Sequence, residues 1–157
     1  MAAALLTAIG LSVLGLAVSL VLGHTAATSA DIMRHVTLAV FATMITLFSH
    51  SMAMFYLIGK GKAVREAVAE GGLSGTFVAE ISSVRRPVFS IGMLAVALTI
   101  VAAVIGGGVD TGVLPSGFHA LLGYSAVVAN VAALRAEVVA LSTIARVVDE
   151  VNRLLGV

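Results

Sequence analysis

Apolar residues in this chain fall into four long runs rather than short periodic stripes. The runs cover residues 3–22, 35–58, 87–105 and 115–138, and each approaches the roughly 20 residues that a helix needs to cross a hydrocarbon layer. Runs of that length predict transmembrane helices. The first run has no Lys or Arg ahead of it and is longer than the apolar core of a secretory signal, so it reads as a span despite the Thr28-Ser29-Ala30 tripeptide.

The pattern changes beyond the second and fourth runs. Over 59–70 apolar residues mix with Lys62, Arg65 and Glu66. Over 139–155, Leu141, Ile144, Val148, Val151 and Leu155 recur at three- and four-residue steps, with Arg146, Asp149, Glu150 and Arg153 on other faces. Both segments are predicted to be amphipathic helical extensions outside the lipid. Thr28 or Ser29 is placed to cap the second span, with Asp31 in its first turn, and Gly71-Gly72 supplies a stop. Residues 76–86 read as a short helix leading into the third span. Pro87 and Pro115 suit first-turn positions, and Gly106-Gly107-Gly108 reads as a flexible turn. The expected fold is all-α: one domain, a four-helix transmembrane bundle with helical cytoplasmic extensions.

Composition agrees with that pattern. Only 11% of residues are charged, against roughly 25% in soluble domains. There is no cysteine, which excludes disulfides, thiolate metal sites, iron–sulfur clusters and covalent haem attachment. The net charge of +1 conceals an asymmetry. Lys60, Lys62, Arg65, Arg85 and Arg86 lie between the second and third spans, and Arg135, Arg146 and Arg153 lie at or beyond the end of the fourth. The opposite side holds Arg34 alone. The positive-inside rule then places both termini in the cytoplasm and the protein in an inner or plasma membrane. Anionic lipid and topology account for the basic loop. No nucleic-acid patch, phosphate loop or nucleophile–base–acid set is visible. The expected partners are the lipid bilayer and other membrane subunits or further copies of the chain.

The candidate chemistry lies in four histidines. His35 and His119 sit a few residues inside the second and fourth spans, which run in the same direction, so both fall at one depth. Imidazoles are costly in lipid unless paired, ligated or lining a wet cavity. The helical face of His35 carries Asp31, Ala39, Ala42, Thr46, Ser49, His50 and Ala53; that of His119 carries Gly123, Ala126, Asn130, Ala133 and Glu137. Every one of these is small or polar. Such faces serve close helix packing with interhelical hydrogen bonds, as in a structural or accessory subunit. They also leave room for a flat cofactor.

The leading expectation is a b-type haem protein acting in electron transfer, with His35 and His119 as axial ligands. Asp31 would orient His35, and Ala42, Gly123 and Asn130 would line the slot. His50 lies about 22 Å deeper along its helix, with Met93 as its possible partner. Glu137, at the inner edge, is expected to pair with Lys60 or Lys62. A second alternative is a zinc or copper site of His24, His35 and His119 at the outer edge. The methionines near His50 read as packing or lipid-facing residues.

The topology is checked with cysteines introduced at Ala27, Ser74 and Thr111 and an impermeant thiol reagent on intact cells. Positions 27 and 111 should label and position 74 should not; the reverse pattern inverts the orientation.

Overall fold

The structure, a computed structural model, describes residues 1–156. It contains four helices: α1 (Ala2–Thr25), α2 (Ser29–Glu70), α3 (Thr76–Asp110) and α4 (Ser116–Leu155). Each is long and apolar enough to cross a membrane. They alternate in direction, and short connections make sequence neighbours pack side by side: α1 chiefly on α2, and α3 on α4. Two short loops close one end of the bundle, the loop end. The N-terminus, the 71–75 turn and the C-terminal tail gather at the other, the extension end.

Local chemistry explains where the helices begin and stop. Thr28 and Asp31 form a reciprocal capping box at the start of α2: the Thr28 hydroxyl accepts from the Asp31 amide, and the Asp31 carboxylate accepts from the Thr28 amide. The Thr28 hydrogen bonds, with a smaller contribution from Arg34, hold the Asp31 carboxyl below its usual range. α2 ends at Gly71, followed by Gly72 at φ +62°, a left-handed conformation that glycine adopts without strain. A Cβ on Gly71 would also run into Leu155, so the tail of α4 packs directly on this turn.

Two local readings change. Residues 76–86 are not a separate helix: α3 runs unbroken from Thr76, with Pro87 inside it. The proline removes one backbone donor, yet the flanking helix is held by packing on both sides. Gly106-Gly107-Gly108 is no turn either, since α3 continues to Asp110. Tertiary contact accounts for this. A Cβ at Gly106 would meet His119 at 3.0 Å, and one at Gly108 would meet Leu114 at 2.8 Å, so these glycines let α3 approach α4 and the loop that precedes it.

The core divides into two tiers. Toward the loop end the buried residues are small or polar: Ser12, Ser19, Ala42, Thr46, Ala95, Thr99, Ala102, Ala126 and Asn130. Toward the extension end lies one apolar cluster, including Leu5, Leu57, Val64, Val68, Ile81, Val88, Leu141, Ile144, Val147 and Val151. α2, α3 and α4 carry this cluster past the start of α1, and an Arg146–Glu80 ion pair ties α4 to α3 at its surface. The bulky residues Val40, Phe41, Met44, Phe48 and Phe55 are exposed, as a lipid-facing stripe should be.

The stripe on the α4 extension is centred on Val147, fully buried, rather than on the half-buried Val148; Leu155 lies at its exposed edge. Val147→Asp should therefore cost at least about 3 kcal/mol by placing a charge in that cluster. Amide exchange over 59–70 and 140–155 should accelerate, and Val148→Asp should do less. The opposite order would contradict this placement.

Candidate functional site: a buried His–Glu pair beneath a histidine-lined cavity

The register of the two parallel helices α2 and α4 decides which polar groups meet. His35 and His119 come together near the loop end, with ring centroids 6.0 Å apart and planes at 72°. Their numbers differ by 84, so His50 lies level with residue 134, which is Leu134 and points elsewhere. The residues one turn to either side, Asn130 and Glu137, are on the same face as His119 and close on His50 from both sides. His50 Nε2 is 2.9 Å from Asn130 Oδ1, and His50 Nδ1 is 2.8 Å from Glu137 Oε1. All three side chains are fully buried.

Hydrogen-bond accounting then orders the protons. Thr99 donates its hydroxyl proton to the Ala95 carbonyl at 2.8 Å, leaving its oxygen to accept. The Asn130 amide nitrogen donates to that oxygen at 2.9 Å and to the Ala126 carbonyl at 2.8 Å. Both donors are thus committed to acceptors, and Asn130 Oδ1 can only accept. His50 Nε2 must carry the hydrogen. One further proton is shared between His50 Nδ1 and Glu137 Oε1. It rests on the imidazole, giving an ion pair, or on the carboxyl, giving a neutral pair. The second carboxyl oxygen, Glu137 Oε2, is buried with no partner among the described residues.

Above this pair lies a cavity of about 60 Å³ to which all four helices contribute. Its lining includes Ser19 from α1, His35 and Thr43 from α2, Thr99 and Ala102 from α3, and His119 and Ala126 from α4. Thr99 and Ala126 are also the two acceptors of the Asn130 amide, so Asn130 closes the floor. A water needs roughly 10–15 Å³ measured this way, so the cavity has room for a few. His35 Nδ1 donates to the Ser19 carbonyl at 2.8 Å, which leaves Nε2 as the ring's free lone pair when neutral. His119 Nδ1 is buried with no hydrogen-bond partner among the described residues. Each ring rests its Cε1 edge on a glycine of a neighbouring helix: a Cβ at Gly23 would come within 2.9 Å of His35, and one at Gly106 within 3.0 Å of His119.

Several expectations about individual residues change. Asp31 does not orient His35; its carboxylate is held by Thr28, and the Ser19 carbonyl takes the orienting role. Glu137 pairs with His50 rather than with Lys60 or Lys62, because its face points into the bundle and not toward the headgroups. Met93 is 57% exposed and so faces away from His50. Ala42 is buried against α1, where a Cβ on Gly15 would lie 3.2 Å from it; it does not line the cavity. Gly123 does line it, and Leu20 lies over it at 3.0 Å from where a Cβ would be. His24 is at the surface, 3.2 Å from the Tyr124 hydroxyl, and does not join His35 and His119. Among the described residues no three His, Cys, Asp or Glu side chains are placed to hold one metal ion.

The pairing of His50 with Glu137 was open to reading from the small-residue faces, since both residues lie on them. The signal was the 84-residue offset between His35 and His119, which brings residues a turn either side of 134 to His50. Comparison with protein-family models, curated proteins and solved structures finds no match, so the functional reading rests on this geometry.

Proposed function

We propose that this chain is a proton-handling membrane protein whose working part is the His50–Glu137 pair, a site that binds and releases a proton inside the bilayer. The observation that carries this reading is the ordered hydrogen-bond chain, which leaves one proton between two fully buried ionisable groups. Ionisable residues within membrane segments mark ion pathways and proton relays. Stability alone does not account for the pair, because well-packed apolar residues of similar volume stabilise an interior as well or better. Asn130 acts by positioning: its fixed amide holds one tautomer of His50. With the Lys and Arg excess at the extension end, that end faces the cytoplasm and the histidine cavity the opposite side.

Infrared difference spectra of the reconstituted protein across a pH titration test this. A protonated-carboxyl band should appear and be lost in Glu137→Gln. In the same range nitrogen NMR should show the His50 ring protonated at Nε2 whenever that band is present. A Glu137 band that stays constant over the whole titration would remove the reading.

A second reading, haem b between His35 and His119 in electron transfer, is favoured by one observation. Two imidazoles bound across a metal at about 2.0–2.1 Å per bond have centroids roughly 6.4 Å apart, and here the spacing is 6.0 Å. The carbonyl-held Nδ1 of His35 is also what a ligating histidine uses to present Nε2. The donor set fits; the space does not. A cavity of about 60 Å³ is far below a porphyrin, and Leu20 occupies the slot at Gly123. Haem binding would require the helices to part. An absorption spectrum of protein purified from haem-replete cells decides the matter: a Soret band lost in both His35→Ala and His119→Ala favours haem, and a colourless protein rejects it.

A further inference from the structure

The two tiers of the core differ in what they let through, and the His50–Glu137 pair lies at their boundary. On the loop side the route from the pair is polar. Asn130 covers His50, its amide is bonded to Thr99 and to the Ala126 carbonyl, and both of those residues line the cavity that reaches the half-buried His35 and His119. From Ala126 to His119 is seven residues, or about 10 Å of helix.

On the extension side the route is closed. Leu57 lies seven residues beyond His50 and Ile144 seven residues beyond Glu137, and both are at most 1% exposed. Met54, Val88, Ala140 and Leu141 complete the seal, with Leu5 of α1 in the same cluster. Apart from the weakly accepting Met54 thioether, none of these side chains offers a hydrogen bond. Tyr56 packs against the cluster from α2 but is only half-buried. The buried polar residues of the neighbouring helices are Ser12 and Ser19 of α1 and Thr99 of α3, none of which titrates. The titratable groups nearest to the pair's polar route are therefore His35 and His119.

Resting on the proton-site reading above, we infer that the pair exchanges its proton with one side of the membrane only, the loop side, through the His35–His119 cavity. The bundle is a proton well rather than a channel. Asn130 is its gate: while its amide is bonded to Thr99 and Ala126 it holds His50 apart from the cavity, and rotation of the amide brings the imidazole within reach of water there. With the amide turned, His50 Nε2–H gives its proton to a cavity water, which leaves as hydronium, while the shared proton settles on Nδ1 and Glu137 is left a carboxylate; on return, hydronium protonates Nε2, leaves a neutral water behind, and the shared proton moves toward Glu137. Glu137 Oε2, without a partner among the described residues, is the remaining site at which a second proton can be held. The apolar tier blocks the onward step, since a lone proton there has no acceptor.

The experiment uses the full chain in lipid vesicles, with orientation scored by labelling a cysteine at Ser74. A rapid pH jump is applied on one side at a time while the Glu137 carboxyl band is followed. A jump on the loop side should shift the band, and a jump on the extension side should leave it unchanged while the gradient lasts. Ala102→Phe, which fills the cavity, should slow the loop-side response about tenfold or more; Ala103→Phe on the same wall is the alternative if the first variant lowers helicity. Leu57→Ser, which places a hydroxyl in the seal, should create a response from the extension side. A response from the extension side in the unsubstituted protein overturns one-sided access, as does an unslowed response in both folded cavity variants. A band that responds to neither side overturns the proton site itself, so the two failures are told apart.

Discussion

The structure depends on one hydrogen bond between two buried ionisable groups, His50 and Glu137. Neither a lone imidazolium nor a lone carboxylate is tolerable in a low-dielectric interior. Sharing a proton makes His50 and Glu137 neutral as a unit in either arrangement. That requirement locks the register of α2 against α4, because a shift by one residue would rotate one partner about 100° away from the other. Asn130 and Thr99 extend the constraint to α3: each hydrogen has one donor and one acceptor, from the Ala95 carbonyl to the Glu137 carboxyl.

α1 is held differently. It shares no hydrogen bond with the pair and is instead fitted by size. Gly15 lies against Ala42, Gly23 against the His35 ring, and the Ser19 carbonyl takes the His35 Nδ1 hydrogen. In lipid there is little hydrophobic drive between helices, so close approach of small residues and interhelical hydrogen bonds do most of the joining. The same small residues that bring helices together at the loop end leave the cavity between the two histidines. Larger residues at the extension end fill the equivalent space. A change of residue size along the bundle thus separates a polar, accessible half from a sealed one.

α2, α3 and α4 continue as helices beyond the start of α1, packed through Val64, Val68, Ile81, Ile144, Val147 and Val151. Where such a cluster stands in water, burial stabilises it by about 1.5–3 kcal/mol for each fully buried large aliphatic side chain. It lies directly beneath the pair. At the loop end the contacts are small and partly polar.

Four long apolar helices were determined by the sequence alone, because run length depends on solvent and not on neighbours. The small-residue faces of α2 and α4 were equally legible, as was the meeting of His35 with His119, which needs only parallel direction and equal depth. Three things were decided by the tertiary structure. Gly106 to Gly108 read as a turn, yet they are helical because His119 and Leu114 need the room. Glu137 read as an edge residue with a lysine partner, yet its rotation about the helix turns it inward. The partner of His50 was hidden because it is not at the matching position: residue 134 faces elsewhere, and the side chains that reach His50 come from one turn above and one turn below. Helical periodicity tells which face a residue occupies. Only the packed register tells which turn of the neighbouring helix it meets.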